Sequence, residues 1–527
     1  MWILGPVSSG IRQSTRPLRA LGGVIAAGVT LGVGQLVAGF FDRSAAPLFA
    51  VGATVIDHTP KPVREFAIDT FGTGDKAALL VGIGVIVTVV AAVSGLLETR
   101  RRWWGSAVFA VFGLLGVAAA VSRPQADSAW FLPSAVGIAV GIATLRLMVA
   151  RLDPAGLTAS AHPTADADDA LTSQGRRSFL IGASGVGVGA AVAGFAGIGV
   201  DNAFNSADRD REKFAVPSAV NDEPIAPGEL TSTGGRTPFI TPNNDFYRID
   251  TALRPPQVTS GSWGLRIHGE VEREVKLTFA DLRRMPAIEK MVTLACVSNE
   301  VGGDLIGNAV WTGYRLRDLL AMAGVKPGAD MVLSASTDGF TAGTPLEAMT
   351  DDRDSLLAVA MNGKPLPIEH GYPARLVVPG LYGYVSATKW VTSLEVTRFA
   401  DATAYWTTRG WSAKGPIKTS SRIDVPADGA SVQAGSVTVA GVAWSQPRGI
   451  NAVEIRVDDG AWQRATLEGP DVPDAWRMWT WTWSATRGDH KLTVRAFDGE
   501  GRQQSAVVSR PDPDGATGLH TISVTVR

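Results

Sequence analysis

The chain has 527 residues, 49 of them basic and 50 acidic, for a formal net charge of −1; no long basic run points to nucleic acid, and no nucleic-acid partner is expected. Hydrophobic residues make up 45% but are unevenly spread: Gly, Ala, Val, Ile and Leu dominate up to about residue 200, and the charge, Trp and Pro of a water-soluble protein follow. The single cysteine, Cys296, excludes an internal disulfide and any metal cage built from cysteines alone.

Five stretches reach or approach the roughly 20 apolar residues that cross a hydrocarbon core: residues 21–41, 77–97, 106–121, 129–150 and 179–200, the third being the shortest. Cationic side chains are retained on the cytoplasmic side. Arg12, Arg16 and Arg19 precede the first stretch, Arg100, Arg101 and Arg102 follow the second, Arg151 follows the fourth, and Arg176 and Arg177 precede the fifth. If all five span, these clusters share one side, which places the amino terminus in the cytoplasm and everything after residue 200 outside. The loop 42–76 carries four cations and weakens that count without reversing it. Gly175-Arg-Arg-Ser-Phe-Leu180, ahead of a Gly/Ala-rich apolar stretch, resembles a twin-arginine export signal, the kind that carries folded, cofactor-loaded proteins; the plainer reading is that two arginines orient a helix. Cleavage near Asn202-Ala203 stays open.

The six histidines are His58, His162, His268, His370, His490 and His520, none inside the five stretches, and Cys-x-x-Cys-His is absent. No haem is therefore expected, and electrons would pass to a separate carrier protein.

The organisation expected is a membrane domain over residues 1–200, a polar linker over 201–224, a mixed α+β domain over 225–420 and an all-β immunoglobulin-like sandwich over 421–527. In the third region, strand-like runs (Trp263 to Gly269, Met331 to Ser334, Ala374 to Pro379) alternate with short helical patterns (Thr278 to Arg284, Tyr314 to Ala323), as in an enzyme-sized α+β domain. In the fourth, Val437 to Trp444, Val453 to Val457, Trp479 to Trp483 and Thr521 to Val526 alternate as strands, and Asp459-Gly460 marks a hairpin. Trp479, Trp481 and Trp483 share one strand face, either as sandwich core or as an interface. Cys296 stands where the apolar run from Met291 breaks into the loop Val297-Ser-Asn-Glu-Val-Gly-Gly303. By itself it is either a small buried hydrophobe or a single ligand or nucleophile.

Thr241-Pro-Asn-Asn-Asp-Phe-Tyr247, Leu294-Ala-Cys-Val-Ser-Asn299, Met361-Asn-Gly-Lys-Pro-Leu-Pro-Ile-Glu-His-Gly-Tyr-Pro-Ala-Arg-Leu-Val-Val-Pro-Gly380 and Tyr382-Gly-Tyr-Val-Ser-Ala-Thr-Lys-Trp390 resemble, in order and spacing, the molybdopterin-binding domain of the sulfite oxidase family. Gly441-Val-Ala-Trp-Ser445, Val457-Asp-Asp-Gly-Ala-Trp462 and Trp476-Arg-Met-Trp479 resemble the dimerisation domain that follows it. The resemblance implies one molybdenum–molybdopterin per subunit, Cys296 as the metal ligand and essential thiolate, and a homodimer through the C-terminal domain. A soft thiolate suits molybdenum alongside dithiolene sulfurs and oxo groups. A phosphate-bearing cofactor needs cationic and hydroxyl donors; by the resemblance these contacts fall on Asn244, Tyr247, Arg248, His370, Arg375, Ala387, Thr388 and Lys389, and more loosely on Ser336.

Sulfite oxidases typically carry Arg-Asn-His after the paired aromatics and two arginines after the Asn of the cysteine loop; here those stretches read Ile249-Asp-Thr251 and Glu300-Val301. A carboxylate about 4 Å from a sulfite dianion is repulsive at an effective dielectric near 20. The favoured reading is a membrane-anchored, extracytoplasmic enzyme of two-electron oxygen-atom transfer acting on a neutral S-oxide or N-oxide. The alternatives are oxidation of sulfite or another sulfur oxyanion, gripped by arginines such as Arg315, Arg317 or Arg409, and an anchored binding protein that kept the fold without the metal.

Overall fold

The computed structural model describes residues 16–71, 74–124, 126–152, 165–204, 206–221 and 235–527. Arg12, the side chains of Arg176, Arg177 and Ala203, and residues 222–224 of the expected linker lie outside the described residues. The chain divides into two compact units, Met1–Ser206 with Ala252–Arg254, and Ala207–Thr251 with Pro255–Arg527.

The first unit is helical: α1 (Arg16–Ala38), α2 (Pro47–His58), α3 (Lys61–Phe71), α4 (Asp75–Leu97), α5 (Trp104–Val121), α6 (Leu132–Leu152) and α7 (Ala165–Phe204). Five stretches are long and apolar enough to cross a membrane, Arg16–Ala38, Lys76–Leu97, Trp104–Val121, Leu132–Leu152 and Phe179–Asn202, matching the five read from hydropathy. The loop between the first two is not irregular: it folds as α2 and α3, of 12 and 11 residues, too short to span. Helix α1 packs on α4, α6 and α7 through glycines. A β-carbon on Gly23 would strike the Ala91 carbonyl, one on Gly95 the Arg19 carbonyl and one on Gly32 the Ala190 carbonyl. Such close backbone approach supplies the dispersion contacts on which helix association in an apolar medium depends. Glu98, 1% exposed, pairs with Arg146 at 2.8 Å and accepts the Ser106 N–H at 2.7 Å, so a charge that would be costly alone is neutralised and caps the first turn of α5.

The second unit holds four sheets. In chain order the strands are β1 (Gly264–Gly269), β2 (Val275–Thr278), β3 (Ile288–Ala295), β4 (Ile306–Arg315), β5 (Met331–Ser336), β6 (Thr341–Pro345), β7 (Leu356–Met361), β8 (Lys364–Pro365), β9 (Arg375–Val377) and β10 (Val391–Thr397). One sheet runs β2-β1-β10-β5-β6 and the other β3-β4-β7-β8, with β9 paired to β7. Their shared core buries Trp311, Trp390, Tyr314 and Tyr372; the indole N–H groups of Trp311 and Trp390 reach the carbonyls of Val292 (3.1 Å) and Ile368 (2.9 Å), as buried indoles require. The helical pattern expected from Tyr314 begins later, at Leu316, because Tyr314 and Arg315 finish β4 by pairing with Leu357 and Leu356.

The remaining strands are β11 (Ser420–Val425), β12 (Ala430–Val432), β13 (Gly435–Trp444), β14 (Ile450–Val457), β15 (Gln463–Arg464), β16 (Thr466–Glu468), β17 (Arg477–Ala485), β18 (Gly488–Asp498) and β19 (Thr521–Val526). They form two sheets, β11-β13-β17-β16 and β12-β19-β18-β14-β15, closed on a core with Val439, Ile455, Trp479, Trp483, Val494 and Ile522: an immunoglobulin-like sandwich. Trp481 is partly buried on the same cluster, so the tryptophan face is sandwich core. The sandwich also covers the free edge of β3. Thr293 donates its N–H to the Asp474 carbonyl (2.9 Å), its carbonyl accepts from Gln446 Nε2 (3.0 Å) and its hydroxyl accepts the Trp476 N–H (2.7 Å), which satisfies backbone that an exposed edge would leave open.

One expectation differs. Part of the stretch read as a linker is built into the second unit. Asp210, in the short helix Asp208–Glu212, accepts the Ser260 N–H at 2.6 Å and the Tyr372 hydroxyl at 2.5 Å. Arg211 donates to the carbonyls of Leu366 (2.7 Å) and Pro365 (3.1 Å), and the Phe214 ring packs edge-on to Phe279 and Tyr372. The charge density that suggests solvated chain is used for specific hydrogen bonds.

Candidate active site

Cys296 is the first residue after β3, at the mouth of the β3–β4 hairpin. Its N–H donates to the Leu305 carbonyl at 2.9 Å, closing the loop 296–305 directly beyond the last strand pair, Ala295 with Ile306. Asn299 braces the loop from within: its N–H meets the Cys296 carbonyl at 3.1 Å and its Oδ1 accepts the Leu305 N–H at 2.8 Å. That side chain occupies the space a β-carbon on Gly303 would need, 2.6 Å away, and Gly302 has φ +82°. Both positions therefore demand glycine. The thiol is 8% exposed.

A second wall is the turn from Leu381 to Lys389, which contains the helical turn Gly383–Ser386. A β-carbon on Gly383 would lie 3.8 Å from the Ala295 carbonyl and 3.9 Å from the Tyr247 hydroxyl. Gly383 therefore lies between the cysteine strand and that phenol, close to both. Tyr247 is held by stacking on Phe246 (5.3 Å), and Phe246 meets Trp311 and His370 edge-on.

The third part is a cluster of cations. Arg375, 4% exposed, donates to the carbonyls of His370 (3.2 Å), Ala387 (3.4 Å) and Leu376 (3.4 Å) and lies over the Trp311 ring. Burial lowers its pKa to about 10. Lys389 reaches Asp250 at 3.1 Å and the Glu369 carbonyl at 2.9 Å, and burial lowers its pKa to about 8 despite the carboxylate. Arg248 pairs with the same Asp250 at 2.9 Å. His370 is buried, its Nδ1 makes no hydrogen bond among the described residues, and burial, then Lys389 and Arg375, push its pKa down to about 3, so the ring is neutral at pH 7. Burial raises the pKa values of Cys296 and Tyr247; for the thiol, hydrogen bonds from Ser298 and the field of Lys389 oppose the rise.

The structure thus brings together Tyr247, Arg248, His370, Arg375, Ala387 and Lys389 of the residues read from sequence. Asn244 is exposed at the rim. Thr388 is fully buried with its hydroxyl on Ser334 at 2.7 Å and its carbonyl accepting the Leu376 N–H at 2.9 Å. Ser336 pairs with Val391, two residues past Lys389, and its hydroxyl faces the Asp338 N–H at 3.4 Å. The repulsion argument against an anionic substrate weakens: Asp250 is engaged by Arg248 and Lys389, and Glu300 is exposed. Arg315 and Arg317 pair with Asp354 at the end of ten-residue β4 away from Cys296, about 30 Å along the strand at ~3.3 Å per residue, and cannot grip a substrate at the thiol. Arg409 lies 3.5 Å over the Tyr405 ring, two residues before Trp411, which packs on Tyr384.

Sequence reasoning gave Tyr382 no role. It is buried, burial raises its pKa to about 12, and Cys296 and Asp514 contribute to that rise. The C-terminal sandwich covers it: a β-carbon on Gly515 would lie 2.6 Å from its hydroxyl, and Lys418 ties down Asp514 and the Gly515 carbonyl at 2.8 Å each. No local signal marks a contact made across a hundred residues of chain.

Among the described residues, no three His, Cys, Asp or Glu side chains cluster as a metal cage, so a metal at Cys296 must bring most of its own ligands. Buried Arg375, largely buried Lys389 and exposed Arg248 gather around one carboxylate, Asp250, which only the last two engage, beside an imidazole nitrogen that makes no hydrogen bond among the described residues. This arrangement fits an anionic, phosphate-bearing cofactor, which would supply the missing counter-charge; Arg375, Lys389, Arg248 and His370 would hold it, with Cys296 on the metal.

The family described as the oxidoreductase molybdopterin binding domain matches residues 252–406, and a bacterial Ig domain matches residues 420–494. The mitochondrial sulfite oxidase of Mus musculus is 33% identical over 49% of this chain and 54% of its own length. The uncharacterized oxidoreductase YuiH of Bacillus subtilis (strain 168) is 35% identical over 34% of this chain and 88% of its own. The sulfane dehydrogenase SoxCD from Paracoccus pantotrophus, a crystal structure, matches over 58% of this chain and 86% of its own at 25% identity, with a TM-score of 0.48. The chain spans about half the length of the sulfite oxidases it matches. A domain of molybdopterin oxidoreductases lies over Cys296, His370, Arg375 and Lys389, and nearly the whole of one relative, 35% identical, aligns with the chain: the chain belongs to the sulfite oxidase family of molybdopterin-binding oxidoreductases.

Proposed function

We propose that the chain is a membrane-anchored oxidoreductase that carries one molybdenum–molybdopterin per subunit and catalyses two-electron oxygen-atom transfer on the extracytoplasmic side, with a neutral S-oxide or N-oxide as substrate. The observation that carries this reading is the single buried thiol at a strand end, in the field of Lys389 and beside Tyr247, with Arg375 bonded to the His370 carbonyl and both within the field of Lys389. When bound, the cofactor supplies the metal that exchanges an oxygen atom and two electrons. The chain supplies the rest. Arg375 and Lys389 neutralise the cofactor's negative charge, and neutral His370 offers one ring nitrogen as a donor or acceptor. Tyr247 stays protonated through the physiological range because burial raises its pKa, so its O–H can donate a hydrogen bond that orients a substrate oxygen. Tyr382 and Gly515 shield the thiol's surroundings from bulk solvent.

A neutral substrate suits the rim of the cysteine loop, where Val301 stands in place of an oxyanion-binding arginine and Glu300 points to solvent. Five helices apolar enough to span, with their flanking arginines, support anchoring and the outward orientation of the second unit. The sandwich is the element through which two subunits would pair, and electrons would come from a separate carrier protein. The second reading is sulfite oxidation, favoured by the kinship with sulfite oxidases. Metal and pterin analysis of the purified chain tests the cofactor. Steady-state turnover of dialkyl and methionine sulfoxides against sulfite tests the substrate: faster turnover of sulfite reverses the assignment.

A further inference from the structure

The tip of the cysteine loop is gripped by the other domain. Arg422, in β11 of the sandwich, donates from Nη1 to the Gly303 carbonyl at 2.7 Å and from Nη2 to the Thr237 hydroxyl at 3.2 Å, while its Nε is fixed by Asp424 at 2.6 Å. The side chain is 12% exposed. The neighbouring residue, Gly302, lies under the His520 ring with no room for a β-carbon, and His520 Nδ1 accepts the Ile423 N–H at 3.0 Å, the residue next to Arg422. Inside the loop, Gly303 donates to the Glu300 carbonyl at 2.9 Å and packs on Asn299, whose N–H and Oδ1 hold the Cys296 carbonyl and the Leu305 N–H. A short chain of hydrogen bonds and contacts therefore runs from the Arg422 guanidinium through Gly303 and Asn299 to the backbone of Cys296. The same domain clamps Thr293, three residues before the cysteine, through Asp474, Gln446 and Trp476.

We infer that Arg422 and His520 are positioning residues for the Cys296 loop, so that the C-terminal sandwich sets the direction in which the thiol points as well as joining subunits. The inference deepens the cofactor reading, on which it rests. A single protein ligand to a metal has no partner ligand to correct its position, so its loop must be oriented from outside. Asp424 holds the guanidinium so that one fork nitrogen addresses Gly303, a charge-assisted bond of the stronger class.

Because the chain has one cysteine, its alkylation reads out loop position without ambiguity. The full-length protein, purified from cells starved of molybdate, is treated with iodoacetamide and the modified fraction followed by mass. Arg422→Ala and His520→Ala each raise the alkylation rate of Cys296, by on the order of tenfold for the lost charged hydrogen bond; Arg422→Lys, which keeps the charge and loses the fork, falls between. Arg448→Ala is the control. It removes a guanidinium bound to Asp498 and Ser445 in the same domain and leaves the rate unchanged. A rate at Arg422→Ala and His520→Ala no greater than in Arg448→Ala, in proteins that melt cooperatively, overturns the positioning role. If one variant does not fold, the other decides. Molybdenum content of Cys296→Ser tests the ligand reading separately: wild-type metal there removes the ligand assignment and leaves the alkylation comparison to stand on its own.

Discussion

The guanidinium carbon of Arg375 lies 5.0 Å from the centre of the Trp311 ring. The arginine is 4% exposed, and it donates to the main-chain carbonyls of His370, Leu376 and Ala387. A buried cation held by carbonyls and an aromatic face keeps a full charge without a carboxylate to cancel it. That is the electrostatic profile of a group waiting for an anion.

Arg375→Ala should release the cofactor, because a pterin or phosphate acceptor then loses its charged donor. Pterin and molybdenum per chain should fall by about one to two orders of magnitude, on the scale seen when residues supporting a metal site are removed. Pterin content equal to wild type in a folded Arg375→Ala protein counts against the whole cation cluster as the cofactor seat.

Cys296→Ser changes little volume at a position 8% exposed and makes no change to the backbone bond from Cys296 to Leu305. The melting temperature should stay within a few degrees, on the scale of a change below about 1 kcal/mol, while turnover disappears. An active Cys296→Ser enzyme would falsify the ligand assignment.

Much of this site could be read in the sequence because its residues sit in contiguous motifs: the cysteine loop, the run ending at Gly380 and the turn up to Trp390. Periodicity likewise marked the five apolar helices and the sandwich strands, where burial alternates as the pleat demands. What stayed hidden depends on contacts distant along the chain. Asp250 looked like a charge facing substrate until Lys389, 139 residues away, was found beside it. Asp210 and Arg211 looked solvated until Tyr372 and Leu366 were seen to satisfy them. Arg422 and His520 gave no signal, because a lone arginine on a strand and a histidine before one carry no local pattern.

Loading of the cofactor should depend on pH through Lys389. Burial lowers its pKa from 10.5 to about 8 in the cofactor-free site, and a bound anion would raise it again. Anion binding therefore takes up a proton above that value and weakens as pH rises through it. Stability of the empty protein moves the other way: between about 8 and 10.5 the unfolded chain holds the proton that the folded one has lost, so folding gains stability with pH. Cofactor retention during dialysis should fall between pH 7 and pH 9, and Lys389→Arg should flatten the curve. A flat wild-type profile removes Lys389 from the cofactor's counter-charge.

The orientation of the chain can be tested at Arg176 and Arg177. Arginines beside the first, second, fourth and fifth spans fall on one side only if all five helices cross, which places Cys296 outside. A cofactor assembled in the cytoplasm would then have to be inserted before the second unit is exported, and folded, loaded cargo is what a twin-arginine signal carries. Replacing both arginines by lysine separates the two readings, because lysine satisfies the orientation rule equally well and does not satisfy a paired-arginine signal. If the pair is an export signal, Arg176→Lys with Arg177→Lys leaves the second unit inside, where protease added to wall-stripped cells cannot reach it; if the pair only orients a helix, the unit is cleaved as in wild type. Wild-type protein protected in intact stripped cells and cleaved only after lysis would overturn the outward topology itself, and with it the need for export of a loaded domain.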